Sequence, residues 1–426
     1  MSRDESSSFR HASTSKLLAL LAATVIITSA SFTLGKFSAR DTITRPEMSW
    51  ALGSTSSIKI SDLSISLEHA AQSVRASRPD ASEAALEVAY EYLSELLSAS
   101  VEMYIARGDP RRPEFTDWMG GYRKFLGDSP DAIYSTTPVD ASVEYEIGIT
   151  TGSADYIGLV VYERHPLTGW NRVADSLSVF PETDSHPLQI RVSSGSFKAI
   201  GESEVDSSVD AQPEHLSLHL SHSSHMVMVR EYFFDSQTRT PSTLSIRALN
   251  TAGHDLNHLA FQARAEGAVN FFNQTWQGSL ALADAMRATT NSFDRPAAVS
   301  PDFVGIFYPT PDNTYHGGAF ALETDEALVV EGTIPDAAFW SITLQNQWMQ
   351  SIETSKGTAS LKGSQISNRE GQFRVWISHL APPQGEDWLN TGGETEGLVA
   401  IRYLLAETAV APSARLQKLG DRQGIR

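Results

Sequence analysis

Apolar residues recur along this chain with two different periods, and the change of period divides it. Leu86, Ala89, Leu93, Leu97, Val101 and Tyr104 return at three- and four-residue intervals, which lines them up on one helical face. Asp80 or Ser82 can cap the start of that helix, and Gly108-Asp109-Pro110 stops it, so the spacing predicts a helical segment over residues 80–125. Beyond Asp128 the pattern becomes that of strands. Residues 145–149, 156–162, 188–192 and 226–232 are short, rich in β-branched and aromatic side chains, and separated by Gly, Pro, Asp and Ser. They predict an antiparallel sandwich over residues 126–248, with the acidic, apolar-poor residues 201–214 as a surface loop. Helical spacing returns near Asn250, with Leu256, Leu259, Ala263, Phe272, Trp276, Leu280 and Ala283 facing inward, and residues 249–299 read as a helical connection. Strands then resume at 319–322, 327–332, 339–344, 373–377 and 398–403, which predicts a second sandwich or jelly roll over residues 300–410 and a tail at 411–426.

The N-terminus follows a third pattern. Residues 17–35 hold no charge and are bracketed by Lys16 and Lys36. As a helix they would rise roughly 28 Å, close to the hydrocarbon thickness of a bilayer. Thirteen of the 19 positions are Ala, Val, Ile, Leu or Phe, and five are Ser or Thr, whose hydroxyls can bond back to the preceding turn. We expect an uncleaved anchor: residues 1–16 form a cytoplasmic tail, and the body lies in the periplasm or another extracytoplasmic space. A cleaved signal peptide is the competing reading, since Arg3, Arg10 and Lys16 precede the stretch and Thr28-Ser29-Ala30 offers small residues for cleavage. Both readings export the body. Residues 36–79, Ser/Thr-rich at their start, are expected to tether it.

Composition narrows the partners. The chain carries 33 basic and 51 acidic side chains, a formal charge of -18, so a nucleic-acid partner is not expected. Cysteine is absent, which excludes disulfides, thiolate metal sites and a cysteine nucleophile. No GxSxG elbow, P-loop or GxGxxG fingerprint occurs. The histidines His215, His219, His222 and His225 suggest a metal, yet His215 and His219 share a strand face that holds no carboxylate. His254 and His258 stand at i, i+4 without the Glu of an HExxH zinc site. The sequence calls for no metal and no cofactor.

Two constellations remain. Asp325, Glu326, Asp387 and Glu394 could supply an acid–base pair, with Asp387 and Glu394 the catalytic candidates, although a turn role for Asp325 and loop exposure for Asp387 and Glu394 are the commoner outcomes. Tyr315, His316, Trp340, Asn346, Trp348, Trp388 and Asn390 combine flat apolar rings with directional hydrogen-bond groups, a combination that recognises sugars and other amphipathic molecules. Trp340 and Trp376 sit inside strand patterns and are expected to pack in the core. Trp388 precedes Gly392-Gly393 and is the leading single candidate. Arg402 can pair with Asp387 or Glu394.

A family resemblance joins these residues. Tyr315-His316-Gly317-Gly318-Ala319-Phe320, Asp325-Glu326-Ala327-Leu328-Val329-Val330, Phe339-Trp340-Ser341, Asn346-Gln347-Trp348 and Asp387-Trp388-Leu389-Asn390-Thr391-Gly392-Gly393, followed by Gly397 and Arg402, resemble the bacterial domain of unknown function 1214. Upstream, Ser129-Pro130-Asp131-Ala132-Ile133-Tyr134 and Val229-Arg230-Glu231-Tyr232-Phe233-Phe234-Asp235 resemble the companion domain 1254 proteins. The resemblance implies a mainly β (α+β) protein of the cell envelope, with an immunoglobulin-like sandwich, helical connections and a jelly-roll-like C-terminal domain; it carries over no reaction. Asn390 and Glu394 depart from the Asp and His common in the family. The expected function is binding of a glycan or small amphipathic ligand through the C-terminal β domain. The alternative is a hydrolase or lyase acting on envelope glycan, and a third is a scaffold.

Overall fold

A computed structural model describes residues 59–79, 81–120, 122–166, 168–181, 187–195, 216–234, 239–249, 261–293, 305–353 and 358–420. The anchor expected at 17–35 lies outside these residues, as do His215, His254 and His258. Among the described residues no helix is long and apolar enough to cross a membrane.

Among the described residues, three α-helices accompany the strands. α1 (Ser61–Ser77) and α2 (Glu83–Ser100) precede the strands, and α3 (Phe261–Arg287) lies between the two groups of strands. α1 falls inside the segment expected to be a tether. Its buried positions Leu63, Ser66, Ala70 and Val74 recur at helical spacing, but the stripe is narrow and contains a serine, which receives a 3.0 Å hydrogen bond from Asn273 on α3. Ser82 caps α2 as expected, its hydroxyl accepting from the Ala85 amide at 3.2 Å. The helix then continues as a π turn over Val101–Ala106, which rotates the apolar stripe and leaves Val101 exposed.

Among the described residues, the first β unit is built from β1 (Thr116–Met119), β2 (Ala132–Pro138), β3 (Tyr145–Thr150), β4 (Tyr156–Arg164), β5 (Asn171–Val179), β6 (Leu188–Ser193), β7 (Leu216–His219), β8 (Ser224–Tyr232) and β9 (Thr243–Ala248). They form a sheet of order β1-β2-β8-β4-β5 and a second of order β7-β6-β3-β9. Between the two sheets, Ile147, Leu159, Val192, Val227 and Val229 close one apolar core.

The remaining strands are β10 (Asn313–Ala321), β11 (Glu326–Thr333), β12 (Phe339–Gln345), β13 (Ser360–Lys362), β14 (Gln372–Ser378), β15 (Asp387–Asn390), β16 (Glu396–Leu404) and β17 (Ser413–Lys418). They pair as β10-β16-β12-β13 and β15-β14-β11-β17 around Leu328, Val330, Ile342, Val375 and Ile401. The segment expected as a C-terminal tail thus supplies an edge strand, β17, which is antiparallel to β11. Mainly β architecture with four sheets and few helices is what the alternating segments predict. A further core joins the helices to the first β unit, through Tyr92, Leu96, Trp118, Phe271, Phe272 and Tyr308.

Candidate functional site

Alternation decides what each sheet shows to its outer side. In the five-stranded sheet, Ile157, Leu159, Val161, Val227 and Val229 point into the first core, so Tyr134, Tyr156, Tyr162, Arg230 and Tyr232 occupy the opposite face. In β10-β16-β12-β13, Ile342, Ile401 and Tyr403 point into the second core. The register then places Tyr315, Arg402, Ser341 and Lys362 in one cross-strand row on the outer face. The two outer faces meet. The Tyr232 ring lies 5.9 Å from Phe339 and its hydroxyl reaches Asn313 Oδ1 at 3.4 Å. Lys362 Nζ donates to the Phe233 carbonyl at 2.9 Å, and the Tyr156 hydroxyl donates to the Asp312 carboxylate. The result is a seam between the sandwiches walled by tyrosines, with one arginine from each side.

Both arginines are deeply buried, Arg230 at 5% and Arg402 at 3% exposure. Arg230 Nη2 donates to the Tyr162 hydroxyl at 2.8 Å and to the Tyr308 carbonyl at 2.6 Å. Arg402 Nη2 donates to the Gly127 carbonyl and, at 2.8 Å, to the Asp128 carbonyl. In each, Nη1 is buried and has no partner among the described residues. The side chains of Ser341, Asn313 and Gln345 also keep an unpaired polar atom there. Arg402 makes no ion pair with Asp387 or Glu394; it is on the outer face of its sheet, and Asp387 belongs to the other sheet of the sandwich. An arginine guanidinium is a fixed cation in proteins. Burial pushes the Tyr134 phenol up to about 12, with Arg402 and Arg230 pulling the other way, and it raises Tyr232 and Tyr162 as well. All three therefore remain neutral donors at physiological pH.

Beside the seam lies a cleft of about 430 Å³, lined by Lys124, Asp128, Ser129, Tyr134, Arg239 and Ser351 among others. That volume suits a small ligand. Tyr134 connects the cleft to the seam: it lines the cleft, and its ring faces the Arg230 guanidinium at 6.0 Å. The loop at 127–128 forms the other shared wall, because Asp128 lines the cleft while its carbonyl binds Arg402. The Asp128 carboxylate accepts from the Ser351 amide at 2.8 Å and hydroxyl at 2.6 Å, fixing this loop to the second sandwich; its own burial raises its pKa. Asp131 is paired with Arg239 at 3.3 Å and Lys362 at 3.7 Å, so those two cations are already partly neutralised. Gly158 stands opposite Arg230 in β4; a Cβ there would lie 2.8 Å from the Tyr156 hydroxyl, so glycine lets that ring lie flat against the strand.

Of the residues singled out from sequence, the seam brings together Tyr315 and Arg402, which are paired across β10 and β16. Tyr315 is 51% exposed and marks where the seam reaches solvent. Trp340 is buried in the second core beside Phe373, at 5.1 Å, and Trp348 stacks on Tyr92 at 6.4 Å in the helical core. His316 packs edge-on to Tyr403, at 5.6 Å, on the inward side of β10. Asn346 closes a turn, its Oδ1 accepting from the amides of Trp348 and Gln350 at 2.9 and 3.1 Å. Asp387, Trp388 and Asn390 lie on β15, in the sheet remote from the seam. The Asp387 carboxylate accepts from the Ser367 amide and hydroxyl at 2.8 and 3.0 Å, Trp388 Nε1 donates to the Ser378 carbonyl at 3.2 Å, and Asn390 Oδ1 accepts from Gly392 at 2.8 Å. Glu394 is exposed on the following turn. His219 is exposed on β7, and His225 Nε2 is 3.0 Å from Asn171 Oδ1. Among the described residues no group of three or more His, Asp or Glu is placed to hold a metal ion.

Sequence reasoning passed over Arg230, Tyr134, Tyr162 and Tyr232 as site residues. The available signal was an arginine inside the run Met226-Val227-Met228-Val229-Arg230, where a solvent-facing position would be expected to alternate with polar neighbours rather than methionines.

These features define a two-sandwich protein with a helical layer and a buried arginine–tyrosine seam. Residues 307–408, which hold most of the second sandwich, match the family described as "Protein of unknown function (DUF1214)"; the match does not reach the upstream segments. No curated protein matches the chain. Among solved structures, an uncharacterized protein from Burkholderia cenocepacia is similar at 22% identity and a TM-score of 0.72, covering 84% of this chain and 96% of that one. That likeness concerns the fold. The VPA0106 protein from Vibrio parahaemolyticus aligns at 10% identity and a TM-score of 0.42, over 78% of this chain and 98% of its own.

Proposed function

We propose that this chain is an envelope-facing binding protein that takes a small amphipathic molecule into the seam and cleft between its sandwiches. The observation that carries the reading is a juxtaposition: a cleft of about 430 Å³, lined by Tyr134, Ile133 and Ile352 among others, borders a buried seam that holds two guanidiniums and several unpaired polar atoms. Buried polar groups are nearly always paired, and a cluster of exceptions calls for a missing partner. Tyrosine supplies both an apolar face and a hydroxyl, which suits a ligand with one oily and one polar part. The first β unit is best read as the immunoglobulin-like sandwich and the second as the jelly-roll-like domain that the resemblance implies. Placement outside the cytoplasm rests on the uncharged stretch 17–35, which as an anchor or as a cleaved signal would export the body, with an anchor as the favoured form.

The binding reading is preferred to the hydrolase or lyase reading because the Asp387 carboxylate accepts from the Ser367 amide and hydroxyl and Glu394 stands on an exposed turn. The binding reading is tested by calorimetric titration of decanoate, decyl phosphate and decyl maltoside into wild-type protein and a Tyr134→Ala variant. Saturable binding of at least one probe, weakened by the variant, supports the reading. Binding that survives Tyr134→Ala unchanged moves the site elsewhere. Protease accessibility of the body in intact spheroplasts tests export: protection inside the cytoplasm would contradict it.

A further inference from the structure

The seam says more about its occupant than that it is small and amphipathic. The geometry points to an oxyanion, a carboxylate or phosphate, as the buried end of that molecule, held between Arg230 and Arg402; this rests on the binding reading above. Each guanidinium commits Nη2 to neutral oxygens, a tyrosine hydroxyl or backbone carbonyls, and leaves Nη1 buried and unpaired. Neither lies within ion-pair distance of a carboxylate among the described residues, although elsewhere in the fold the buried Arg123 is paired at 2.7 Å with Glu102. A buried cation without a counter-ion is costly, and the arrangement becomes favourable once an anion enters.

The surroundings agree with that occupant. Arg230 sits beside Tyr134 on β2, and Arg402 sits beside Tyr315 and Ser341, whose buried hydroxyl is also unpaired. Phenol and serine hydroxyls donate to an oxyanion, and the guanidinium fork matches carboxylate and phosphate oxygens alike. Carboxylates near the seam are accounted for: Asp131 by Arg239 and Lys362, Asp128 by Ser351, and Asp312 by Ser178 and Tyr156. The apolar remainder of the ligand then runs past Tyr134 into the cleft, alongside Ile133 and Ile352.

The test is isothermal titration of four probes with the same ten-carbon tail: decanoate, decyl phosphate, decyl maltoside and decyltrimethylammonium. Each is run on wild type, Arg230→Gln and Arg402→Gln, with circular dichroism confirming the fold. We expect one or both anions to bind at least tenfold more tightly than the neutral and cationic probes. Each substitution should weaken the anions by about tenfold to a hundredfold, the worth of a charge-assisted hydrogen bond, and weaken the neutral probe less than the anions. Preference between the two anions identifies carboxylate or phosphate. If a glutamine variant fails to fold, the corresponding Arg→Lys variant, which keeps the charge and loses the fork, is read in its place. Equal binding of decyl maltoside, or anion binding indifferent to both arginines, overturns the oxyanion assignment and leaves the amphipath reading standing. Binding of none of the four overturns both.

Discussion

Replacing Arg402 with methionine separates a binding role from a structural one. In the folded chain this side chain is 3% exposed, and its Nη2 bonds tie β16 to the carbonyls of Gly127 and Asp128. Losing two hydrogen bonds from a charged donor removes about 1.5–3 kcal/mol apiece. Against that, a buried charge with no counter-ion costs several kcal/mol in lost hydration, a cost methionine does not carry while it fills a similar channel. The two contributions are similar in size and opposite in sign. The net change in unfolding free energy should therefore fall within about 2 kcal/mol of zero, well short of the about 3–5 kcal/mol seen when a buried pair loses one partner. Urea denaturation followed by far-UV circular dichroism measures it, provided the slope with denaturant is unchanged. A loss beyond about 4 kcal/mol would mean that the bonds to residues 127–128 are the purpose of Arg402, and the reasoning would be refuted.

Further outcomes follow from the same geometry. Trp118→Ala should cost about 3–5 kcal/mol in urea unfolding, because the ring is 1% exposed and packs edge-on against Tyr308 at 4.6 Å and Phe125 at 5.4 Å. Gly397→Ala should cost about 1–3 kcal/mol, since its Cβ would stand 2.6 Å from the Gln345 carbonyl oxygen; an unchanged midpoint would show that β16 can shift. Burial raises the Asp128 carboxyl, so the folded state binds its proton more readily than the unfolded chain, and the stability linked to that proton is lost as pH rises. Relative to wild type, Asp128→Asn should thus gain stability as pH climbs from the ordinary carboxylate value of about 4, and a constant difference across a pH series of melts would contradict this. Trp388→Ala should leave binding of decanoate or decyl phosphate unaltered in calorimetry, as its indole lies on β15 in the sheet away from the seam.

Much of the architecture was legible because burial on one side of a strand imposes alternation. Residues 145–149, 156–162, 188–192 and 226–232 all fall within observed strands, and Ser82 marks the start of α2. α1 escaped notice because Ser66 occupies a buried position that a sequence pattern scores as polar. β17 did so because its pattern along the strand, Ser413-Ala414-Arg415-Leu416-Gln417-Lys418, is that of an exposed edge. The site was less legible for a physical reason. Alternation distinguishes inside from outside a single sandwich, but the seam is the outside of two sandwiches at once, so Arg230 and Ser341 occupy positions that would be solvent-facing in either one alone. Tyr315 and Arg402 were found from their place in a family-like block, while the partners of Arg402 lie at residues 127–128 and are joined to it only by the tertiary fold.

The most direct examination of the central claim is a crystal structure grown with decanoate and decyl phosphate. The account predicts density for the headgroup at the Nη1 atoms of Arg230 and Arg402, with the tail passing Tyr134 into the cleft. An empty seam, with the probe seated instead on β15 beside Trp388, would contradict it.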